Sequence, residues 1–579
     1  MPRQDRMTVA RGAKPADLIL TNCRLVNVFS GQVEDTDIVI RGSRVAALMP
    51  AGPGGPAHEA HTILDLGGAY VCPGFIDAHV HLESSMVRLQ EFIRAVLPRG
   101  TTTVVIDPHE IANVLGLDGI RYLLEAAKHN PLSIFMMAPS CVPSTHLETA
   151  GARLMSYDLE PLLGNQWVIG LGEMMNYPGV LSRDEEVMAK LKIAQAYPID
   201  GHAPGLSGRD LNAYIAAGIR SEHESTRLEE AREKLQKGMY VFIREGTSSR
   251  NLHDLLPLVT PANSRRCCFC TDDRDPATLM HEGHIDSIVR EAIRAGLDPI
   301  IAIQMATLNP AERFNLTELG VIAPGRRADM VVLDNLSDFN VLQVYRGGRL
   351  MAEDGRLAPH VQQPPPITIR SSMNVRWLEL EDFALTAESD RARIIESIPQ
   401  QIITGQRVDT VRVVDGRAVA DPTRDILKVC VVERHQATGN IGKGFVSGFG
   451  IKHGAIASSV AHDSHNIVAV GASDHDIYTA AVAVVKMRGG LVVVSDGQVI
   501  ARLPLPVAGL MSDQPLEVVL AQSEELNAAV RSLGCVLDDP FITMSFLCLP
   551  VIPELKITDR GLVDVNRFDF VSLFMIQDT

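Results

Sequence analysis

The sequence predicts an α/β protein: a (β/α)8, TIM-like barrel over residues 71–318, a small β domain built from the segments 1–70 and 319–361 that flank it, and a C-terminal α+β domain over 371–579. Three observations carry this. Between 71 and 318, eight short apolar or β-branched runs each end in polar or ionisable residues, and helical stretches separate several of them. The segments before and after share one antiparallel β texture. Beyond the proline-rich QQPPPITIR (362–370) the rhythm changes again.

The elements follow in order. Residues 17–70 alternate apolar and polar in ADLILTNCRLVNVFSG and DTDIVIRGSRVAALM, with Gly31, Gly42 and the Pro and Gly of 52–56 as punctuation. That is the pattern of a small antiparallel β unit. The eight runs are GFIDAHVHLE, TTTVVIDPHE, SIFMMAPS, WVIGLGEMMN, PIDGHAPG, GIRSEHES, MYVFIREG and CCFCTDD. In a (β/α)8 barrel, polar residues at strand C-termini build the active site. Among the helices, IDSIVREAIRAG places Ile285, Ile288, Val289, Ala292 and Ile293 on one face, with Gly296 past its end. The β texture returns at 320–355 in LGVIAPGRRADMVVLDN and VLQVYRGGRLMAEDG. Neighbouring chain ends let two such segments pair while a barrel interrupts them. After 371, the β runs DILKVCVVE, NIVAVGA and LVVVSDGQVIARLPL accompany the helical DIYTAAVAVVKMRGG.

Composition narrows the partners. At 579 residues the chain exceeds one domain of roughly 100–200 residues, and 46% hydrophobic content is enough for extensive cores. A net charge of −16, spread along the chain, argues against nucleic acid, which needs a basic face. Nine cysteines form no regular framework, which suits a reducing compartment. The start MPRQDRMTVARGAKPAD lacks the apolar core of a secretory leader, and no apolar stretch approaches the roughly 20 residues of a membrane span. The expectation is a cytoplasmic homodimer that acts on a small molecule and has no membrane or nucleic-acid partner.

The chemistry starts at His79 and His81. Spaced i, i+2 on a strand, their side chains point to one side and both imidazoles can reach one ion. An HxH pair alone also occurs at ordinary polar strand ends. The later strand ends add Glu173, His202, His223 and Asp272, so five strands contribute six ligand-type residues. Four histidines with two carboxylates suit one or two divalent ions such as Mn, Fe or Zn. Glu173 has two oxygens and could join two ions, which together lower the pKa of a shared water towards ~7. Asp272 could hold an ion and also accept the proton of that water.

Other motifs carry less. His81-Leu82-Glu83 fits the H-x-E of zinc nucleobase deaminases, and Cys267 to Cys270 gives C-x-x-C. That signature wants proline before its first cysteine, where Arg266 stands, and CCFC is better read as a buried strand. His281-Glu282-Gly283-His284 is one residue short of HExxH and reads as a loop. GFGIKHG and SGFG lack phosphate-loop spacing.

The string PGFIDAHVHLESSM resembles the first-strand motif of the amidohydrolase superfamily, and PGRRADMVVL resembles its return strand. DPHEIANVLG, GLGEMMNYPGV, DGHAPGLSG, SEHEST, REGTSSRNL and CTDDRDP resemble the bacterial adenine deaminase branch. VVERHQATGNIGKGFVSGFGIKHGAIASSVAHDSHNIVAVG resembles that branch's additional C-terminal domain. The resemblance implies hydrolysis of adenine to hypoxanthine and ammonia, in purine salvage, by a metal-bridging hydroxide attacking C6. It implies two divalent ions, manganese or iron, with zinc as an option. His79, His81 and Asp272 match the ligands of one ion, and His202 and His223 those of the other. Many superfamily members have a carboxylated lysine where this chain has Glu173, which argues against the dihydroorotase and hydantoinase branch. Asp272 and Glu173 are the expected catalytic pair, and Glu83, His109 and Asp273 are candidate substrate or supporting contacts.

The competing functions are an N-acyl sugar or amino-acid deacetylase and a metal-free scaffold protein. A scaffold has no reason to keep all six ligand positions. The C-terminal His435, His453, His462, His465 and His475 are expected in a structural domain whose loops cover the barrel mouth.

Overall fold

The computed structural model describes residues 3–52, 58–398 and 401–575. Of the punctuation expected at 52–56, all but Gly52 lies outside the described residues.

Eight parallel strands form the central sheet: β1 (Phe75–Val80), β2 (Thr101–Ile106), β3 (Ser133–Ala138), β4 (Val168–Met174), β5 (Ile199–Gly201), β6 (Ser221–Glu222), β7 (Tyr240–Arg244) and β8 (Cys267–Cys270). Each falls within one of the eight runs. Neighbours pair in chain order. The barrel closes just past β8, where Asp272 N donates to His79 O (3.0 Å) and His81 N donates to Asp272 O (3.1 Å). The backbone that closes the barrel therefore carries three of the expected ligands. Ile76, Ala78, Val105, Met137, Phe242, Cys268 and Cys270 pack in one buried cluster with Phe314 and Leu319. That is a filled core rather than a pore. CCFC is the buried strand expected of it, and burial raises its thiols. His281 ends the helix Pro276–His281. His284 is fully buried against Thr101 Oγ1 (2.9 Å) and Asp77 Oδ2 (3.1 Å), a packing role.

The segments flanking the barrel share one nine-stranded sheet. Tyr70–Pro73, just before β1, pairs antiparallel with Met330–Leu333, just after the barrel's last helices. Strands from Ala16–Asn27 to Ala60–Asp65 complete one side, and Val341–Arg346 to Arg356–Leu357 the other.

The C-terminal region has a second eight-stranded sheet, mostly antiparallel, running from Thr404–Thr410 at one edge to Gln498–Pro504 at the other. Helix Asp474–Lys486 covers one face through Ile477, Ala480, Ala481 and Val484. Ser473 caps it by accepting from Asp476 N. This region docks on the barrel's strand C-termini through polar contacts. Thr149 N donates to Asp559 Oδ1 (2.9 Å), Asn466 Nδ2 to Thr149 O (2.8 Å) and Ser512 N to Met86 O (2.7 Å). Among the described residues no helix is long and apolar enough to cross a membrane.

Candidate metal centre

The end of β1 presents His79 and His81 side by side, with their Nε2 atoms 3.1 Å apart. His81 Nδ1 lies 3.0 Å from the backbone oxygen of Asp107, which only accepts. Nδ1 therefore carries the proton and Nε2 keeps its lone pair for a cation.

Glu173, at the end of β4, divides its two oxygens between two histidine pairs. Oε1 lies 3.2 Å from His81 Nε2 and 3.6 Å from His79 Nε2. Oε2 lies 2.6 Å from His202 Nδ1 and 3.4 Å from His223 Nε2. Asp272 Oδ1 sits 3.2 Å from His81 Nε2 and 3.5 Å from His79 Nε2. All six residues are buried. Their sets His79–His81–Glu173, His79–His223–Asp272 and Glu173–His202–His223 could each hold an ion.

The spacing fits metals. A tetrahedral ion with bonds of ~2.0–2.2 Å holds its ligands about 3.3–3.6 Å apart, close to most of these separations. His202 Nε2 is also buried with no hydrogen-bond partner among the described residues. The His202 nitrogen that faces the carboxylates is Nδ1, 2.6 Å from Glu173 Oε2 and 3.6 Å from Glu224 Oε1, so Nδ1 is the atom placed to meet a cation.

The surroundings hold these groups in place. Glu173 N donates to Asp107 Oδ2 (2.9 Å). Gly172 is needed for this, because a Cβ there would lie 2.1 Å from the same Asp107 oxygen. Asp272 adopts φ 58°, in the left-handed region that costs a non-glycine residue energy. Arg244, at the end of β7, donates Nη1 to Glu224 Oε1 (2.5 Å) and to Asp272 Oδ2 (2.9 Å). Burial alone would push the Asp272 carboxyl up, but His79, His81, His223 and Arg244 outweigh it and hold the group well below its ordinary range. Burial opposes ionisation of Glu173 as well, and His223 and His202 overcome it.

The candidate supporting residues divide. His109 and Asp273 line the chamber above the six candidate ligands, whereas Glu83 does not. Glu83 Oε1 instead accepts from Ile111 N (3.1 Å), and burial raises its carboxyl to about 7. The C-terminal histidines divide too. His462 lines the chamber, and His465 stands behind it against Glu110. His435 lies 2.6 Å from Ser464 O, and His453 and His475 are exposed. Sequence reasoning passed over Glu224, Arg244, Glu110 and Asp463. Glu224 and Glu110 each follow a histidine already singled out, and Arg244 ends a recognised strand, so position was the available signal.

The chamber holds about 30 Å³ and shares Arg244, Ser249, Ile402 and Phe546 with a cleft of about 780 Å³ outside it. Residues 70–351 match the amidohydrolase family, and residues 401–569 match the adenine deaminase C-terminal domain. Taken with the barrel and the ligand sets at its strand ends, the first match defines a metal-dependent hydrolase of the amidohydrolase superfamily. The chain is 53% identical over 570 residues to an adenine deaminase of Desulfatibacillum aliphaticivorans, covering 98% of this chain and 99% of that one. It is 50% identical over 575 residues to an adenine deaminase of Methanothrix thermoacetophila, covering 99% of each. It belongs to the adenine deaminase family.

Proposed function

We propose that this chain hydrolyses adenine to hypoxanthine and ammonia using two divalent ions, manganese or iron, with zinc as the alternative. The ligands in this reading are His79, His81 and Asp272 for one ion, His202 and His223 for the other, and Glu173 between them. The observation that carries it is the division of Glu173, with one oxygen facing each histidine pair. Bound there, the ions would act as Lewis acids and make water nucleophilic at neutral pH.

The chain's own residues do the rest. Asp272 offers Oδ1 to the histidine side of the site and Oδ2 to the proton released by attacking water. Arg244, at 2.9 Å from Oδ2, disfavours a protonated Asp272, so the proton passes on readily to the departing amine. His109 and Asp273 supply polar groups to the chamber wall, and Ile402, Phe546, Leu549 and Ile552 exclude water. All nine cysteines are free, which supports the reading of a reducing, cytoplasmic setting.

The test is ammonia release over a panel of purines and pyrimidines, by protein stripped with a chelator and reloaded with Mn, Fe or Zn. The expected result is activity on adenine that is lost on stripping and restored at two ions per chain. Acetate release from N-acylated substrates with no ammonia from adenine would replace this reading with a deacetylase. Protein that never takes up stoichiometric metal would replace it with a scaffold.

A further inference from the structure

The chamber has two unlike halves. Its floor is the barrel's ligand set. Its roof comes from the C-terminal region: Ile402, His462, Asp463, Phe546, Leu549 and Ile552. Four of these are apolar and two are not. Asp463 is 2% exposed, and its Oδ2 has no hydrogen-bond partner among the described residues. Its other oxygen is 3.8 Å from His109 Nε2. A buried carboxylate oxygen with no donor is costly unless a ligand supplies one.

His462 is held beside it from two directions. Its ring stacks on Phe546 at 4.6 Å and 18° between planes, and its Nδ1 lies 2.7 Å from Glu110 Oε1. Glu110 belongs to the barrel, is 2% exposed, and gives its other oxygen to His465 Nε2. His465 Nδ1 accepts from Ala461 N (3.1 Å), so Nε2 carries the proton and donates to Glu110. That tautomer leaves His465 no lone pair for an ion. The Glu110–His462–His465 cluster is therefore a hydrogen-bonded clasp between the two regions rather than a third metal site.

We infer that His462 and Asp463 read the five-membered edge of the purine, Asp463 Oδ2 accepting the ring N–H and the clasped His462 fixing the edge in place. This rests on the adenine reading above. If C6 faces the ligand floor, the opposite edge of the base faces the roof. A buried acceptor there rejects a ring without the N–H, because the carboxylate would stay unpaired. It also gives the C-terminal region a role in substrate choice beyond covering the barrel. Glu110 and His465 are positioning residues, acting through His462.

The experiment compares the metal-loaded wild type with Asp463→Ala, Asp463→Asn, His462→Phe and Glu110→Gln. It measures kcat and KM for adenine and for 9-methyladenine, which has no N–H on its five-membered ring. It also measures hypoxanthine affinity of the metal-stripped proteins by calorimetry, and metal content. The wild type is expected to prefer adenine over 9-methyladenine about 100-fold or more in kcat/KM. Asp463→Ala is expected to lose most of that preference and to bind hypoxanthine at least tenfold more weakly, with two ions still bound. His462→Phe keeps the stacked ring and is expected to raise KM more than it lowers kcat. Glu110→Gln is expected to show a weaker form of the same change. Asp463→Asn keeps the size but replaces the charged acceptor with a neutral amide, so it is expected to weaken hypoxanthine binding and the preference for adenine to a smaller degree, a readout that holds even if the alanine variant folds poorly. Wild-type preference and hypoxanthine affinity unchanged in both Asp463 variants would overturn the inference. A wild type that releases ammonia from no purine would overturn the adenine reading first, a distinguishable outcome.

Discussion

Replacing Arg244 with glutamine removes a buried cation that touches both Asp272 and Glu224, at 2.9 and 2.5 Å. Arg244 is 2% exposed and Glu224 is 4% exposed, so water cannot take its place. Removing one partner of a buried ion pair costs about 3–5 kcal/mol, because the remaining charge stays buried and unpaired. Here two carboxylates are left. Asp272 still has His79 and His81 within 3.5 Å, whereas Glu224 keeps, among the described residues, His223 and His202 at 3.4 and 3.6 Å. The full loss is expected in metal-stripped protein. A smaller loss is expected once divalent ions add positive charge beside Asp272. The assay is urea denaturation of wild type and Arg244→Gln, each stripped and reloaded, comparing midpoints at constant m-value. Arg244→Lys keeps the charge but not the planar fork and should fall between them. A stripped Arg244→Gln protein within about 1 kcal/mol of wild type would refute the claim that Arg244 neutralises these carboxylates.

Three further outcomes follow from single contacts. Asp272→Asn should abolish turnover while most of the metal stays bound, measured by ammonia release and elemental analysis; retained activity would remove Asp272 from proton transfer. Gly172→Ala places a Cβ 2.1 Å from Asp107 Oδ2, so it should displace Asp107 from Glu173 N, destabilise the fold by about 1–3 kcal/mol and lower metal affinity. Wild-type metal titration of that variant would show that Glu173 needs no such support. Burial, with Asp463 nearby, raises the Glu148 carboxyl from 4.5 to about 8, so between those values the folded chain keeps a proton that the unfolded chain has released. Its contribution therefore weakens stability as pH rises through that window, by up to about 5 kcal/mol as an upper bound. Glu148→Gln should flatten the dependence, read from denaturation midpoints at pH 5 to 8.5, and an unchanged slope would assign the effect elsewhere.

Much of this molecule is legible before any coordinates. The eight barrel strands lie where apolar runs end in polar residues, because strand burial and strand-end chemistry are local patterns that the order of residues records. The residues that meet at the candidate metal centre stand out for the same reason, since each lies at or near the end of a recognisable run. His281 and His284 show the limit, as only the fold separates a buried packing histidine from a ligand.

What the tertiary structure alone decided is which polar groups meet. Glu173 faces two histidine pairs because β1, β4, β5 and β6 converge on one end of the barrel, and no spacing in the chain states which oxygen faces which ring. Arg244 reaches Asp272 across 28 positions, and Glu110 reaches His465 across 355. Such contacts carry no periodicity, so the sequence alone does not display them. Burial sets their strength, and burial belongs to the packed chain rather than to any one segment of it.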